Sequence, residues 1–129
     1  MIAVDTNVIV RFLVRDDASQ ADRAEELIRG SETWISKTVL LETEWVLRSL
    51  YDFAPQSLAG ALRALAGLST VRLEDPGAVA RALDWFERGI DFADALHLAS
   101  AGNARQFATF DRKLARQARH ATQVDAVSL

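Results

Sequence analysis

Short runs of apolar, largely β-branched residues alternate along the chain with longer stretches in which apolar positions recur every three or four residues. Ile2-Ala3-Val4 reads as a brief strand, and Asn7 to Val14 as a helix with Val8, Phe12 and Leu13 at compatible spacing. A second helix is predicted from about Ser19 to Arg29, marked by Ala21, Ala24, Leu27 and Ile28 and stopped by Gly30. Thr33 to Ser36 is the next strand, followed by a helix from about Thr38 to Tyr51. Pro55, a residue favoured at the first helical position, opens another helix that runs to about Gly67. Thr70 to Leu73 reads as a third strand, and Pro76 starts a helix that ends near Gly89. Asp91 begins a helix to about Asn103, and Phe107 to Thr109 makes a fourth strand. Asp111 begins a short basic helix, with Thr122 to Val124 as the candidate last edge strand. Strands separated by helices imply right-handed crossovers and a parallel sheet covered on both faces, an α/β fold. No linker, internal repeat or low-complexity segment interrupts the pattern, so the 129 residues are expected to form one domain.

Composition narrows the chemistry. Half the residues are hydrophobic and 26% are charged, which is globular rather than disordered usage. There is no cysteine, so disulfides, thiolate chemistry and cysteine zinc sites are excluded. With His97 and His120 as the only histidines, any bound metal is expected to be a hard cation held by carboxylate oxygens. The opening MIAVDTNVIV lacks the basic region and cleavage site of a signal peptide, and no apolar run approaches the ~20 residues of a membrane helix. A cytoplasmic protein that does not enter membranes is the expectation. The net charge of −3 argues against coating nucleic acid by bulk attraction, but not against a local grip on RNA.

The acids fall where a parallel sheet would use them. Ligands of open parallel sheets bind beyond the carboxyl ends of the strands. Asp5 follows the first strand directly, Asp111 lies two residues past the fourth, and Asp91 and Asp94 open the helix leading into that strand. Glu42 lies in the second turn of the helix after the second strand, bracketed by Val39 and Val46 and so bordering the buried face. Glu44 borders the other flank beside Leu40 and Leu47, and pattern alone does not choose between the two. Clustered carboxylates repel, and at neutral pH they call for a raised pKa or a divalent cation. Mg²⁺ or Mn²⁺, one or two ions per site, takes oxygen ligands and serves phosphodiester hydrolysis without histidine or cysteine. Each acid also has a plainer reading: Asp5, Asp91 and Asp111 all precede helices, where aspartate is a favoured N-cap.

Four blocks in order change the weight of these single signals. VDTNVIVRFL, VLLETEWVLR, DFADALHLA and ATFDRKL resemble the signatures of PIN-domain proteins, closest to the virulence-associated C (VapC) toxins of type II toxin–antitoxin systems. The similarity runs the length of the chain. The resemblance implies a three-layer α/β/α sandwich around a parallel, about five-stranded sheet. It implies an acidic, metal-holding and catalytic set at Asp5, Glu42, Asp94 and Asp111, which favours Glu42 over Glu44. Thr6, Asn7, Asp91 and Thr109 would support the site by hydrogen bonds to those carboxylates or to metal-bound water. A Mg²⁺- or Mn²⁺-dependent endoribonuclease is implied, cutting structured RNA such as tRNA or rRNA to leave 5′-phosphate and 3′-hydroxyl ends. A homodimer neutralised by a cognate antitoxin is the implied partner state.

Arg11, Arg15, Arg48, Arg112 and Lys113 lie near the acidic blocks in sequence and are the candidates for RNA phosphate contact, against the ordinary alternative of surface ion pairs. Leu41 and Trp45 form an apolar pair off the main core stripe, suited to a dimer or antitoxin surface or to the core. His97 reads as a helix-surface histidine. A haloacid-dehalogenase-like phosphatase also begins strand–Asp but needs a second acid two residues later, where this chain has Asn7. A response-regulator receiver needs paired acids after the first strand, and only Asp5 stands there. The intact acid set argues against a PIN scaffold used only for binding.

Overall fold

A strand too short to stand alone opens the computed structural model, which describes residues 1–129. Strand β1 (Ile2–Ala3) leads into helices α1 (Thr6–Val14) and α2 (Ala18–Gly30), and strand β2 (Thr33–Ile35) into α3 (Lys37–Ser49) and α4 (Pro55–Ala66). Strand β3 (Val71–Leu73) precedes α5 (Pro76–Glu87) and α6 (Phe92–Ala99). Strand β4 (Phe107–Thr109), helix α7 (Arg112–Ala121) and strand β5 (Ala126–Ser128) complete the chain. Every pairing is parallel, as strand–helix–strand crossovers require. Hydrogen bonding groups the strands as a three-stranded ladder, β1-β2-β3, and a two-stranded ladder, β4-β5, rather than as one continuous five-stranded sheet. No helix is long and apolar enough to cross a membrane.

Contacts divide the chain into two compact units, Met1–Pro76 and Gly77–Leu129. In the first, β2 is central: Thr33 pairs with Ile2 on one side and Val71 on the other. Ile9 and Val10 of α1, Ile28 of α2, Ile35 of β2, Leu40 and Leu47 of α3, and Leu58 and Leu65 of α4 are buried. Burying such a side chain stabilises by about 1.5–3 kcal/mol, which offsets the entropy of ordering strands this short. The second unit packs Val79, Leu83 and Phe86 of α5 with Ile90, Phe92 and Leu98, and the Phe86 and Phe92 rings meet edge to face at 5.6 Å. Its ladder registers Phe107 on Ala126 and Thr109 on Ser128.

Local chemistry moved several boundaries from where periodicity places them. Helix α2 starts at Ala18 because Asp17 accepts the Gln20 N–H at 3.0 Å. Helix α6 stops at Ala99 rather than near Asn103, since the chain turns through Gly102 at φ 62°. The edge strand expected at Thr122–Val124 lies instead at Ala126–Ser128. Thr122 is the C-cap of α7: its hydroxyl donates to the Ala118 carbonyl at 2.7 Å and accepts the Val124 N–H at 3.0 Å. That local turn competes with strand pairing.

Candidate functional site

In the first unit the acids stand at the carboxyl ends of parallel strands. Asp5, two residues past β1, occupies the N-cap of α1 in an extended conformation and accepts the Thr6 N–H at 2.8 Å. A usual N-cap reaches one or two residues further into the helix, so this carboxylate grips only its neighbour and stays exposed. Thr6 itself is buried, and its hydroxyl donates to Oε1 of Glu42, a residue 36 positions later. The contact joins the start of α1 to the second turn of α3. Asn7, by contrast, lies in the wall of a groove of about 270 Å³ with Val8, Arg11, Ala24 and Leu27.

Helix α3 decides between its two glutamates in an unexpected way. Ser36 caps it by accepting the Val39 N–H at 3.2 Å, and the buried stripe is Leu40, Thr43, Glu44 and Leu47. Val39 and Val46 are only half-buried, so Glu42 is exposed rather than at the border of the core. Glu44 is 2% exposed and receives Nε of Arg48 at 2.8 Å, with a second, longer contact from the same guanidinium at 3.4 Å. Burying that carboxylate is tolerable because Arg48, one turn on, pairs with it. Glu42 is therefore the glutamate available to a ligand, and Glu44 a structural one.

The second unit gathers three acids. Asp91 caps α6, its Oδ2 accepting the Asp94 N–H at 3.2 Å. Asp111 caps α7, its Oδ1 accepting the Leu114 N–H at 3.0 Å, while its own N–H donates to the Thr109 hydroxyl at 3.0 Å. The plain capping reading of Asp91 and Asp111 is thus correct as far as it goes, and each keeps a second carboxylate oxygen free of that bond. Asp94 is half-buried in the first turn of α6. Burial pushes its carboxyl above the usual range, and the charges of Asp91 and Asp111 push it the same way, with the exposed His97 one turn on pulling back. A divalent cation relieves such crowding. The donor set, carboxylates without a thiol, fits a hard ion. No three His, Cys, Asp or Glu side chains stand close enough together to enclose an ion.

The cations proposed for phosphate contact divide. Arg11 donates to Gln20 at 2.6 Å and pairs with Asp16 at 3.3 Å, beside Tyr51, whose hydroxyl donates to Asp16 at 2.8 Å and holds that carboxyl below its ordinary range. Arg15 pairs with Asp22 at 2.7 Å, and Arg48 with Glu44. Arg112 and Lys113 are exposed and enter no ion pair. Arg88, Arg116 and His120, which are not among those candidates, line one groove with Lys113. The absence of any acid among the residues of α7 is the signal in the sequence. Trp45 is 52% exposed, off the core stripe of α3.

No curated protein matches the chain. The PIN domain, whose members are generally metal-dependent nucleases, does match, and its family model extends from the first strand to the penultimate residue of α7. With residues 2–120 of 129 covered, and with the parallel α/β architecture described above, the chain belongs to the PIN domain family.

Proposed function

We propose that this protein is a Mg²⁺- or Mn²⁺-dependent endoribonuclease, the toxin of a type II toxin–antitoxin pair, and that residues 1–129 act as one catalytic domain. The observation that carries the reading is the Thr6–Glu42 hydrogen bond, which ties the first and second family blocks together at the strand ends. Asp5, Glu42, Asp94 and Asp111 are the metal ligands in this reading. Their exposed or half-exposed carboxylates retain oxygens not used in capping. Thr6 orients Glu42, Asp91 sets the first turn of α6 beneath Asp94, and Thr109 fixes the backbone of Asp111. The chemistry a bound divalent ion supplies is acidification of water and stabilisation of charge on the phosphodiester. One of these carboxylates also accepts the proton of the attacking water. In-line attack then leaves 5′-phosphate and 3′-hydroxyl ends on a structured RNA.

The half-exposed Trp45 supports a docking surface for a second copy or for an antitoxin. Activity is tested by incubating purified protein with total RNA in Mn²⁺, Mg²⁺ or EDTA and sequencing the new 5′ ends. Cleavage at defined sites that EDTA stops supports the assignment, and full cleavage in EDTA removes it. The toxin role is tested separately. Expression should arrest growth, and co-expression of a small protein encoded beside this one should relieve the arrest and copurify.

A further inference from the structure

Helix α7 carries Arg112, Lys113, Arg116, Arg119 and His120 and no acid. At 100° per residue these five positions fall within an arc of about 120°, opposite the buried Leu114, Ala115 and Ala118. All five are exposed and none is in an ion pair. Several cations elsewhere are paired one by one, Arg15 with Asp22, Arg29 with Glu25 and Arg72 with Glu32, and the exposed Arg23 and Arg105, which are not, stand singly rather than in a row. Like charges three and four residues apart destabilise a helix, and α7 contains no acid to offset that repulsion. Towards its C-terminal end the face opens into a groove of about 390 Å³ lined by Arg88, Lys113, Arg116 and His120. Arg88 is held there by donating to the Ala121 carbonyl at 3.3 Å.

We propose that this face, continued by Arg88, is a track for the phosphates of RNA. It begins at Asp111, the N-cap of α7, and runs about 15 Å along the helix. Guanidinium and ammonium groups in such a row contact phosphate oxygens without reading bases, so they supply affinity and register but no sequence preference. An anionic membrane is the poorer fit, because interfacial helices bury an apolar face in lipid and that of α7 is already buried in the protein. The choice of RNA as the polyanion rests on the ribonuclease reading; the charge geometry does not.

The test compares two double variants of the full chain that lose the same charge, Lys113→Gln/Arg116→Gln on α7 and Arg29→Gln/Arg72→Gln elsewhere. Binding of a fluorescent RNA hairpin is titrated in EDTA over a range of salt, so no cleavage intervenes. Glutamine keeps helix propensity, and circular dichroism checks the fold. Removing two phosphate contacts should flatten the slope of log Kd against log salt by about 1.4–1.8 and weaken binding about tenfold near 0.1 M salt, whereas the second pair keeps the wild-type slope. Arg116→Glu should weaken binding further than Arg116→Gln. Equal losses in both doubles mean bulk charge and overturn the track, as does an unchanged slope in the α7 double. Loss of binding to phosphatidylserine vesicles with RNA affinity intact also overturns it. RNA bound with this slope but never cut in Mn²⁺ removes the nuclease reading and leaves the track. Cleavage by a protein whose slope ignores α7 does the reverse.

Discussion

The two compact units use charge in opposite ways. Met1–Pro76 holds eight Lys and Arg against twelve Asp and Glu, a net −4, whereas Gly77–Leu129 holds seven against six, a net +1; together they make the chain's −3. In the first unit the cations are mostly committed: Arg11, Arg15, Arg29, Lys37, Arg48 and Arg72 each sit in an ion pair. In the second, like charges are left together. Burial, and then the charges of Asp91 and Asp111, push the Asp94 carboxyl above its usual range in the first turn of α6, and α7 presents an unneutralised cationic face. Paired charge of the first kind is already neutralised within the fold, whereas unpaired charge of the second kind would be relieved by a ligand of opposite sign. A single net charge for the chain hides that division.

The strongest break of this contrast is at Asp94. Asp94→Asn should lower metal-dependent RNA cleavage at least ~100-fold, measured as initial rates at fixed Mn²⁺, because it removes a ligand charge from the crowded unit. Retained activity would place the chemistry elsewhere. A second comparison sets the two glutamates of α3 against each other. Arg48→Ala should destabilise by about 2 kcal/mol in urea melts by leaving Glu44 buried and uncompensated, below the full range for a buried pair because Arg48 is 45% exposed. Glu42→Gln keeps an acceptor for the Thr6 hydroxyl and should stay within about 0.5 kcal/mol of wild type while losing cleavage. If Glu42→Gln unfolds the protein instead, its role is structural too.

A smaller effect is expected at the caps. Asp111→Ala removes the acceptor of the Leu114 N–H and should cost about 1 kcal/mol, whereas Asp111→Asn, which still caps, should be nearly neutral in stability. Both should lose activity if Asp111 is also a ligand, so stability and rate separate in the Asn variant alone. The smallest effect is a pH dependence. With its pKa raised in the fold, Asp94 binds more protons folded than unfolded between the ordinary aspartate value of about 3.9 and its own higher pKa. Metal-free wild type therefore loses stability as pH rises through that window, and the loss is absent below it. Asp94→Asn should flatten this segment of the melting temperature–pH curve and melt no lower than wild type at neutral pH. A wild-type curve rising through the same window would reverse the sign and reject the crowding.

Most elements were legible because their causes are local. The 3.6-residue spacing of apolar positions, Pro55 and Pro76 at helix starts, and aspartates before helices act over one or two turns, and the parallel α/β architecture follows from their alternation. The family blocks, too, are contiguous strings, and Asp5, Asp94 and Asp111 stand in them at helix starts or first turns that pattern alone locates. What the linear pattern left open is whatever depends on the far side of a contact. Val39 and Val46 resemble Leu40 and Leu47 as apolar brackets, and only packing of α3 determines that Glu44 faces inward and Glu42 outward to Thr6. Strand β5 was misplaced for the same reason: Ala126 qualifies as strand by pairing with Phe107, nineteen residues earlier, not by its own propensity. The identities of Arg15 and Arg116 are the same in sequence, yet one meets Asp22 and the other meets no acid. Composition counts charges along the chain. Tertiary structure decides which of them are already neutralised, because Coulomb energy depends on distance in space rather than in sequence.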